Sequence, residues 1–576
     1  MTQPGFTLVL HSHLPWVLHH GRWPHGVDWL NEAAAETYLP LWRALEKRAR
    51  SNQSLGVTLG LTPVLCEQLA HPDFTQEFVT YLETKLVAAR EDRAALSRTG
   101  ETEMAALAER WEAFYRASLE DFLGPHGSNL VARFRRLEDR GAIEIITCGA
   151  THGYLPLLSS DAAAEEQLRV AVATHRRHFG RAPRGMWLPE CAYRPAGPWP
   201  SPAMERAASL PRARRERAGL ETLLARHGLE YFFVDTHLVS GGKPLGVYAD
   251  RFEALRHLAR EAEASEAPAI ARRPYFPYRV GDEARVCCFG RDPITALQVW
   301  SGEHGYPGDG VYLDFHKKRF PGGHRYWRVT HPKADLAEKQ IYQPAAAEAR
   351  APEHARHFVE LLVRTLGQDS TGASPIACAM FDTELFGHWW FEGPQFLGAI
   401  IDGAPEAGIR PELPSRYLRE HPADHVISLS EGSWGEGGGH QVWLNPETRW
   451  TWEHVHRSEE RYERLVRDAI GRPADPLLDR LLAQTGRELL LLEASDWQFL
   501  ITTVAARDYA EQRLSAHATD FDRLASLAER RIQMGSLNQG DENFLSECER
   551  RDSLFADYDW RGHPAAGAPH TISAGG

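Results

Sequence analysis

The chain has 576 residues, 43% of them hydrophobic and 25% charged, which is the profile of a globular protein rather than a disordered one. Its formal net charge of -13 argues against nucleic acid or an anionic membrane surface as the main partner, because both reward a basic face. The seven scattered cysteines (Cys66, Cys148, Cys191, Cys287, Cys288, Cys378 and Cys548) predict reduced, buried thiols in a cytoplasmic protein. An N-terminus that enters an apolar strand at once predicts no signal peptide, and no apolar run approaches the ~20 residues a membrane span needs.

In chain order, the run at 6–13 (FTLVLHSH) predicts a first strand and GVTLGLTP at 56–63 a second. Residues 74–140 are charged and strongly helical, which predicts an inserted helical subdomain. IEIITCGATHGY at 143–154 resumes the strands, followed by helical text over Ala163–Phe179 and a further strand in GMWLPEC at 185–191. A Pro- and Arg-rich stretch at 196–218 predicts an excursion loop, and 238–285 a second long connection after the strand YFFVDTH at 231–237. VCCFGRD (286–292), a helix at Glu353–Leu366 and PIACAMFDTELFGH (375–388) complete the series.

Each strand run is β-rich without alternation, as a parallel sheet covered on both faces requires. Seven strand–helix units predict an α/β fold, an incomplete (β/α)7 TIM-like barrel. After about residue 447 the strand grammar stops and 454–545 has helical periodicity. The expected domains are therefore a catalytic barrel at 1–447, a helical domain at 448–560 and a disordered tail at 561–576.

In α/β barrels the reacting groups project from the C-terminal ends of strands. Each run here ends in such groups: His11 and His13; His152; Glu190; Asp235 and His237; Arg291 and Asp292; Asp382 and Glu384. Asp382 and Glu384, at i and i+2, are expected on one side while the strand lasts. Two carboxylates from different strand ends suit glycoside chemistry, one attacking the anomeric carbon and the other moving the proton. His11-Ser-His13 reads either as substrate contacts or as the start of a metal site that His152, His237 and Asp235 could complete. Arg291 either keeps Glu190 ionised or forms a plain salt bridge with Asp292 or another acid. Of the 17 tryptophans, several lie in Gly/Pro/His-rich loop text, among them Trp29, Trp300, Trp434 and Trp443. Sugar rings stack on indoles, so a saccharide site is one reading and hydrophobic plugging the other. The Gly-rich run 430–443 lacks the spacing of a phosphate cradle.

HSHLPW, CGATHGY, WLPECAY, FFVDTH, QVWSGEHGYPGDG, FDTELFGHWWFEG and SWGEGGGHQVWLN together resemble glycoside hydrolase family 57, and within it the branching-enzyme group, over residues 6–545. The resemblance implies the barrel, the inserted and C-terminal helical parts, and no cofactor or catalytic metal. It implies an α-1,4-glucan partner, cleavage with retention and transfer to a 6-OH, with Glu190 as nucleophile and Asp382 as general acid/base. His11, His13, His152, Arg291, Trp300, Trp434 and Trp443 match positions lining the donor and acceptor subsites. The group's mobile Tyr-tipped loop falls on Tyr248, with Tyr275 as a second candidate in the same connection. The same carboxylates would serve an amylolytic hydrolase or a 4-α-glucanotransferase. A monomer or weak homo-oligomer is the expectation.

Overall fold

The computed structural model describes residues 3–22, 24–50, 53–201, 215–241, 244, 255, 272–281, 283, 285–301, 305–367 and 374–567. Most of the stretch 238–285, including Tyr248, lies outside the described residues, as do 202–214 and 568–576.

Every predicted run contains a strand. They are β1 (Gly5–Ser12), β2 (Val57–Leu61), β3 (Ile143–Ile146), β4 (Gly185–Trp187), β5 (Tyr231–Val234), β6 (Val286–Gly290) and β7 (Ile376–Asp382). All are parallel to their neighbours within this set and nearly all their residues are buried, as continuous apolar runs demand. They fall into two sheets rather than one continuous closed one. The first runs β7-β1-β2-β3, with Arg410–Pro411 beside the start of β1. The second runs β4-β5-β6 and continues through Tyr278–Val280, antiparallel to β6, to Val426–Ile427.

Single parallel bridges join the sheets on both sides, Thr147 to Met186 and Arg291 to Cys378. At each junction the amide of one residue donates across, Trp187 to the Thr147 carbonyl at 2.9 Å and Asp292 to the Cys378 carbonyl at 2.9 Å. Pairing stops there because the chain turns at once into the loops that carry His152 and Asp292. The architecture is thus an α/β fold with mostly helical content.

The helical text at 74–140 forms α1 (Pro72–Thr99) and α2 (Thr102–Leu123), packed against each other, followed by a shorter helix at Leu130–Asp139. Proline at its first turn starts α1, and Gly100 at φ 78° ends it in the left-handed conformation that glycine adopts without a Cβ penalty. Helix α3 (Asp161–Phe179) is capped by Ser160, whose hydroxyl accepts from the Ala163 amide. Helices α4 (Pro344–Leu366) and α5 (Gly393–Glu406) flank β7. From residue 449 the described chain is helical: α6 (Arg449–Ala469), α7 (Pro476–Leu492), α8 (Asp496–Thr503), α9 (Arg507–Met534) and α10 (Gln539–Arg551). Part of the 196–218 excursion is a two-stranded antiparallel hairpin, Gly197–Trp199 with Arg215–Arg217. Among the described residues no helix is long and apolar enough to cross a membrane.

Candidate active site

Glu190 occupies the turn just beyond β4, where Pro189 fixes the entry and Glu190 and Cys191 both take left-handed backbone angles, φ 60° and 49°. Non-glycine residues in this region cost roughly 1–3 kcal/mol each and persist only where their surroundings hold them. Trp434 supplies that hold. Its amide donates to the Glu190 carbonyl at 3.0 Å and its indole Nε1 donates to Glu190 Oε2 at 2.7 Å. Burial pushes the Glu190 carboxyl up to about 8; the indole hydrogen bond works against that shift, and the charges of Asp382 and Asp496 add to it.

Asp382 ends β7 directly beside His11 of β1 in the parallel register. The i, i+2 expectation for Asp382 and Glu384 fails, because the strand stops at Asp382 and Thr383–Leu385 form a 3-10 turn. Glu384 is carried inward, where Oε1 accepts from the His13 amide at 3.1 Å and from the Tyr38 hydroxyl. Burial and then the charge of Asp382 lift its carboxyl to about 8, against the Tyr38 hydrogen bond.

Three imidazoles stack beside the carboxylates. His11 lies flat on Trp187 (4.7 Å, 7°), and its Nε2 is 3.0 Å from His152 Nε2. His152, itself left-handed at φ 62°, is 2.8 Å from Ser495 Oγ through Nδ1, and that nitrogen is 3.9 Å from Glu190 Oε1. Burial holds His11 and His152 well below the ordinary imidazole range. His13 stacks on His152 at 4.1 Å, with Nε2 3.0 Å from both oxygens of Asp496 and Nδ1 3.1 Å from Thr62 Oγ1.

Behind Trp434 lies a buried ionic layer. The ion partner of Arg291 is Asp235, at 3.7 Å, which is the plain salt bridge, made with Asp235 rather than Asp292. Asp292 instead caps the helix Pro293–Trp300 and accepts from the Tyr275 hydroxyl, which removes Tyr275 as a free loop tip. Burial works to raise the Asp235 carboxyl, but the His237 hydrogen bond and the Arg291 charge outweigh it and hold it low. The Arg291 guanidinium sits 5.5 Å from the Trp434 ring and 5.9 Å from that of Trp300.

The tryptophans divide. Trp187 and Trp300 each meet Trp434 edge to face, at 4.9 Å and 5.9 Å. Trp443 is fully buried, stacks on Tyr154 at 4.6 Å and lies so close under the Gly-rich loop that a Cβ on Gly435 would come within 2.6 Å of it. It supports the loop as a plug. Half-buried Trp29 meets His25 edge-on at 6.1 Å, which in turn packs on Tyr509 of α9.

Two sets of atoms at the site could hold a metal ion, His11–Cys148–His152 and His13–His152–Asp496. Most of the nitrogens that would bind are already paired with each other, with Ser495 or with Asp496. The contribution of α8 and the residue before it was missed from sequence, where Ser495 and Asp496 fall unremarked within the helical text of 454–545.

Residues 7–301 match the family model described as glycosyl hydrolase family 57, and 454–563 match the model for the C-terminal part of 1,4-α-glucan branching enzymes. The chain belongs to glycosyl hydrolase family 57. Among its family 57 relatives, the 1,4-α-glucan branching enzyme of Thermococcus kodakarensis is 41% identical over 552 residues, spanning 95% of this chain and 77% of that protein. The crystal structure of the family 57 branching enzyme of Pyrococcus horikoshii superposes with a TM-score of 0.85 at 39% identity, covering 97% of this chain and 96% of the other. That of the α-amylase AmyC of Thermotoga maritima gives 0.78 at 27% identity, over 97% and 99%.

Proposed function

We propose that this family 57 chain is a retaining 1,4-α-glucan branching enzyme in which Glu190 is the nucleophile and Asp382 the general acid/base. The observation that carries the site is the double hold of Trp434 on Glu190, next to the charge of Asp382. In the first step Asp382 gives its proton to the glycosidic oxygen while a Glu190 oxygen attacks C1. The C1–O4 bond breaks, the non-transferred chain leaves with its new 4-OH, and a glucosyl ester remains on Glu190. In the second step the 6-OH of another chain attacks C1, Asp382 takes its proton, and the ester breaks to restore Glu190 and form the α-1,6 bond.

His11, His13 and His152 present neutral or carboxylate-paired imidazoles to sugar hydroxyls, and the Trp434 indole shields the ester. Arg291, through Asp235, fixes the underside of Trp434. Transfer prevails over hydrolysis only when water is kept from the ester and the acceptor is positioned. A tyrosine that covers the substrate is proposed at Tyr248.

We read the seven parallel strands, with the bridges at Thr147–Met186 and Arg291–Cys378, as an incomplete (β/α)7 barrel spanning 1–447 with the α1–α2 insertion. The helices of 448–560 form a second domain that reaches the site through Ser495 and Asp496. Seven free cysteines fit a reducing, cytoplasmic setting.

Branching is favoured over hydrolysis by the C-terminal match at 454–563, the stretch that includes Ser495 and Asp496. The test is amylose incubation: iodine absorbance should shift, a debranching enzyme should release new chains, and few reducing ends should appear. Reducing ends rising in step with the iodine change would make the chain an amylase.

A further inference from the structure

Helix α2 and the segment that opens α5 enclose a cavity of about 500 Å3 whose lining includes no residue of the Glu190–Asp382 cluster. Its size is that of a ligand site. One wall is aromatic. Phe114 and Phe391, both half-buried, hold their rings 5.5 Å apart at 59°, and Trp111 meets Phe391 at 5.1 Å and 62°. The other wall is polar. Glu392 is buried; its Oε1 accepts from the Tyr342 hydroxyl at 2.6 Å and from the Leu313 amide at 3.2 Å, while its enclosed Oε2 has no hydrogen-bond partner. Arg110 pairs with Glu348 at the mouth, and Gln395 donates to the Glu348 carbonyl at 2.9 Å.

These walls select the guest. Of the three carboxylates, Glu36 is paired with Arg325 and Glu348 with Arg110, which leaves the buried Glu392 to disfavour an anion. A wholly apolar guest would cover Arg110, Glu348 and Gln395 at the mouth without giving them a hydrogen bond, which is costly. A neutral polyol with flat C–H faces meets both demands, stacking on the rings and giving hydroxyls to the polar groups at the mouth. Rings inclined at about 60° suit a chain that bends at every linkage, as an α-1,4-glucan does.

We propose that this cavity is an auxiliary binding site for an α-1,4-glucan chain, separate from the catalytic cleft, and that anchoring polymer there is a role of the inserted helical pair. The inference rests on the α-glucan reading above. A second anchor on one polymer raises its effective concentration at the first, so long glucans benefit and short ones do not.

The experiment uses full-length protein carrying Glu190→Gln, so that maltoheptaose is bound and not consumed, and reads hydrogen exchange over 102–123 and 391–395 with affinity by calorimetry. Protection of both segments is expected, in addition to protection around Glu190. Phe114→Ala in the same background should abolish the first and leave the second, and in the active enzyme should raise KM for amylose about ten-fold with kcat unchanged. Should Phe114→Ala unfold, Gln395→Ala at the exposed mouth is read in its place. Protection confined to the Glu190 region, or unaltered by the substitution read, overturns the auxiliary site and leaves the catalytic reading intact. Protection nowhere overturns both.

Discussion

Trp434 holds Glu190 at both ends, its amide on the Glu190 carbonyl at 3.0 Å and its indole Nε1 on Oε2 at 2.7 Å. One residue, 244 positions away in the chain, therefore holds the strained backbone of the proposed nucleophile and moderates the rise that burial imposes on its carboxyl. Trp434→Phe keeps the ring and deletes the donor. Hydrogen bonds to charged groups are worth ~1.5–3 kcal/mol, so kcat/KM should fall roughly ten- to hundred-fold. The nucleophile works ionised, so kcat/KM falls as pH drops through the Glu190 value of about 8. Losing the indole donor raises that value further, and the acid limb should move to higher pH. A limb that stays in place in a kcat/KM profile would count against the assignment.

Glu190→Gln should remove both branching and hydrolysis, by at least about 10^3-fold, with the circular dichroism spectrum unchanged. It should also stabilise the protein at alkaline pH. The Glu190 carboxyl moves from 4.5 to about 8 on folding, so ionising it costs nothing below the lower value. The cost grows as pH rises between the two and is complete above the upper one, reaching a few kcal/mol on the order of magnitude. The melting-temperature advantage of the variant should therefore widen from about pH 5 to pH 8. An advantage independent of pH would contradict the buried-carboxylate account.

Asp235→Asn should destabilise markedly. It leaves the Arg291 guanidinium buried without its ion partner, when Nε and Nη2 already have no hydrogen-bond partner. Breaking such a pair costs about 3–5 kcal/mol. The thermal midpoint in scanning fluorimetry should drop by several degrees, and activity should fall with it because the guanidinium backs Trp434.

Dialysis against EDTA should leave activity unchanged, because the imidazoles of His11, His13 and His152 are engaged with one another, with Ser495 and with Asp496. Activity lost to chelation and restored by zinc would reinstate the metal reading of His11 and His13.

Asp496→Ala should lower kcat more than Asp496→Asn. The amide retains an acceptor for His13 Nε2, which the carboxylate meets with both oxygens at 3.0 Å, whereas alanine frees the imidazole stack to turn. Equal losses in a kinetic comparison would mean that charge, not orientation, is what Asp496 supplies.

All seven strand runs and the candidates at their ends were legible in the text, because a strand buried on both faces must be continuously apolar and must stop where polar groups begin. Glu190, Asp382, His11, His13 and His152 could be placed this way before any coordinates. The contacts that tune them could not. Nothing local to Trp434 or to Ser495–Asp496 marks them as partners of Glu190 and His152. Nothing in WGEGGGHQVW separates the Trp that touches the nucleophile from the Trp that plugs the loop. The pairing of Arg291 with Asp235, and the inward turn of Glu384 to Tyr38, depended on where β6 and β7 end.

The chain text by itself determined which residues stand at strand ends and what chemistry their side chains can perform, since both follow from short-range stereochemistry and composition. Tertiary structure alone decided which of them share a charge, a proton or a ring face. Burial and distance set those couplings, and both arise from packing segments that lie hundreds of residues apart.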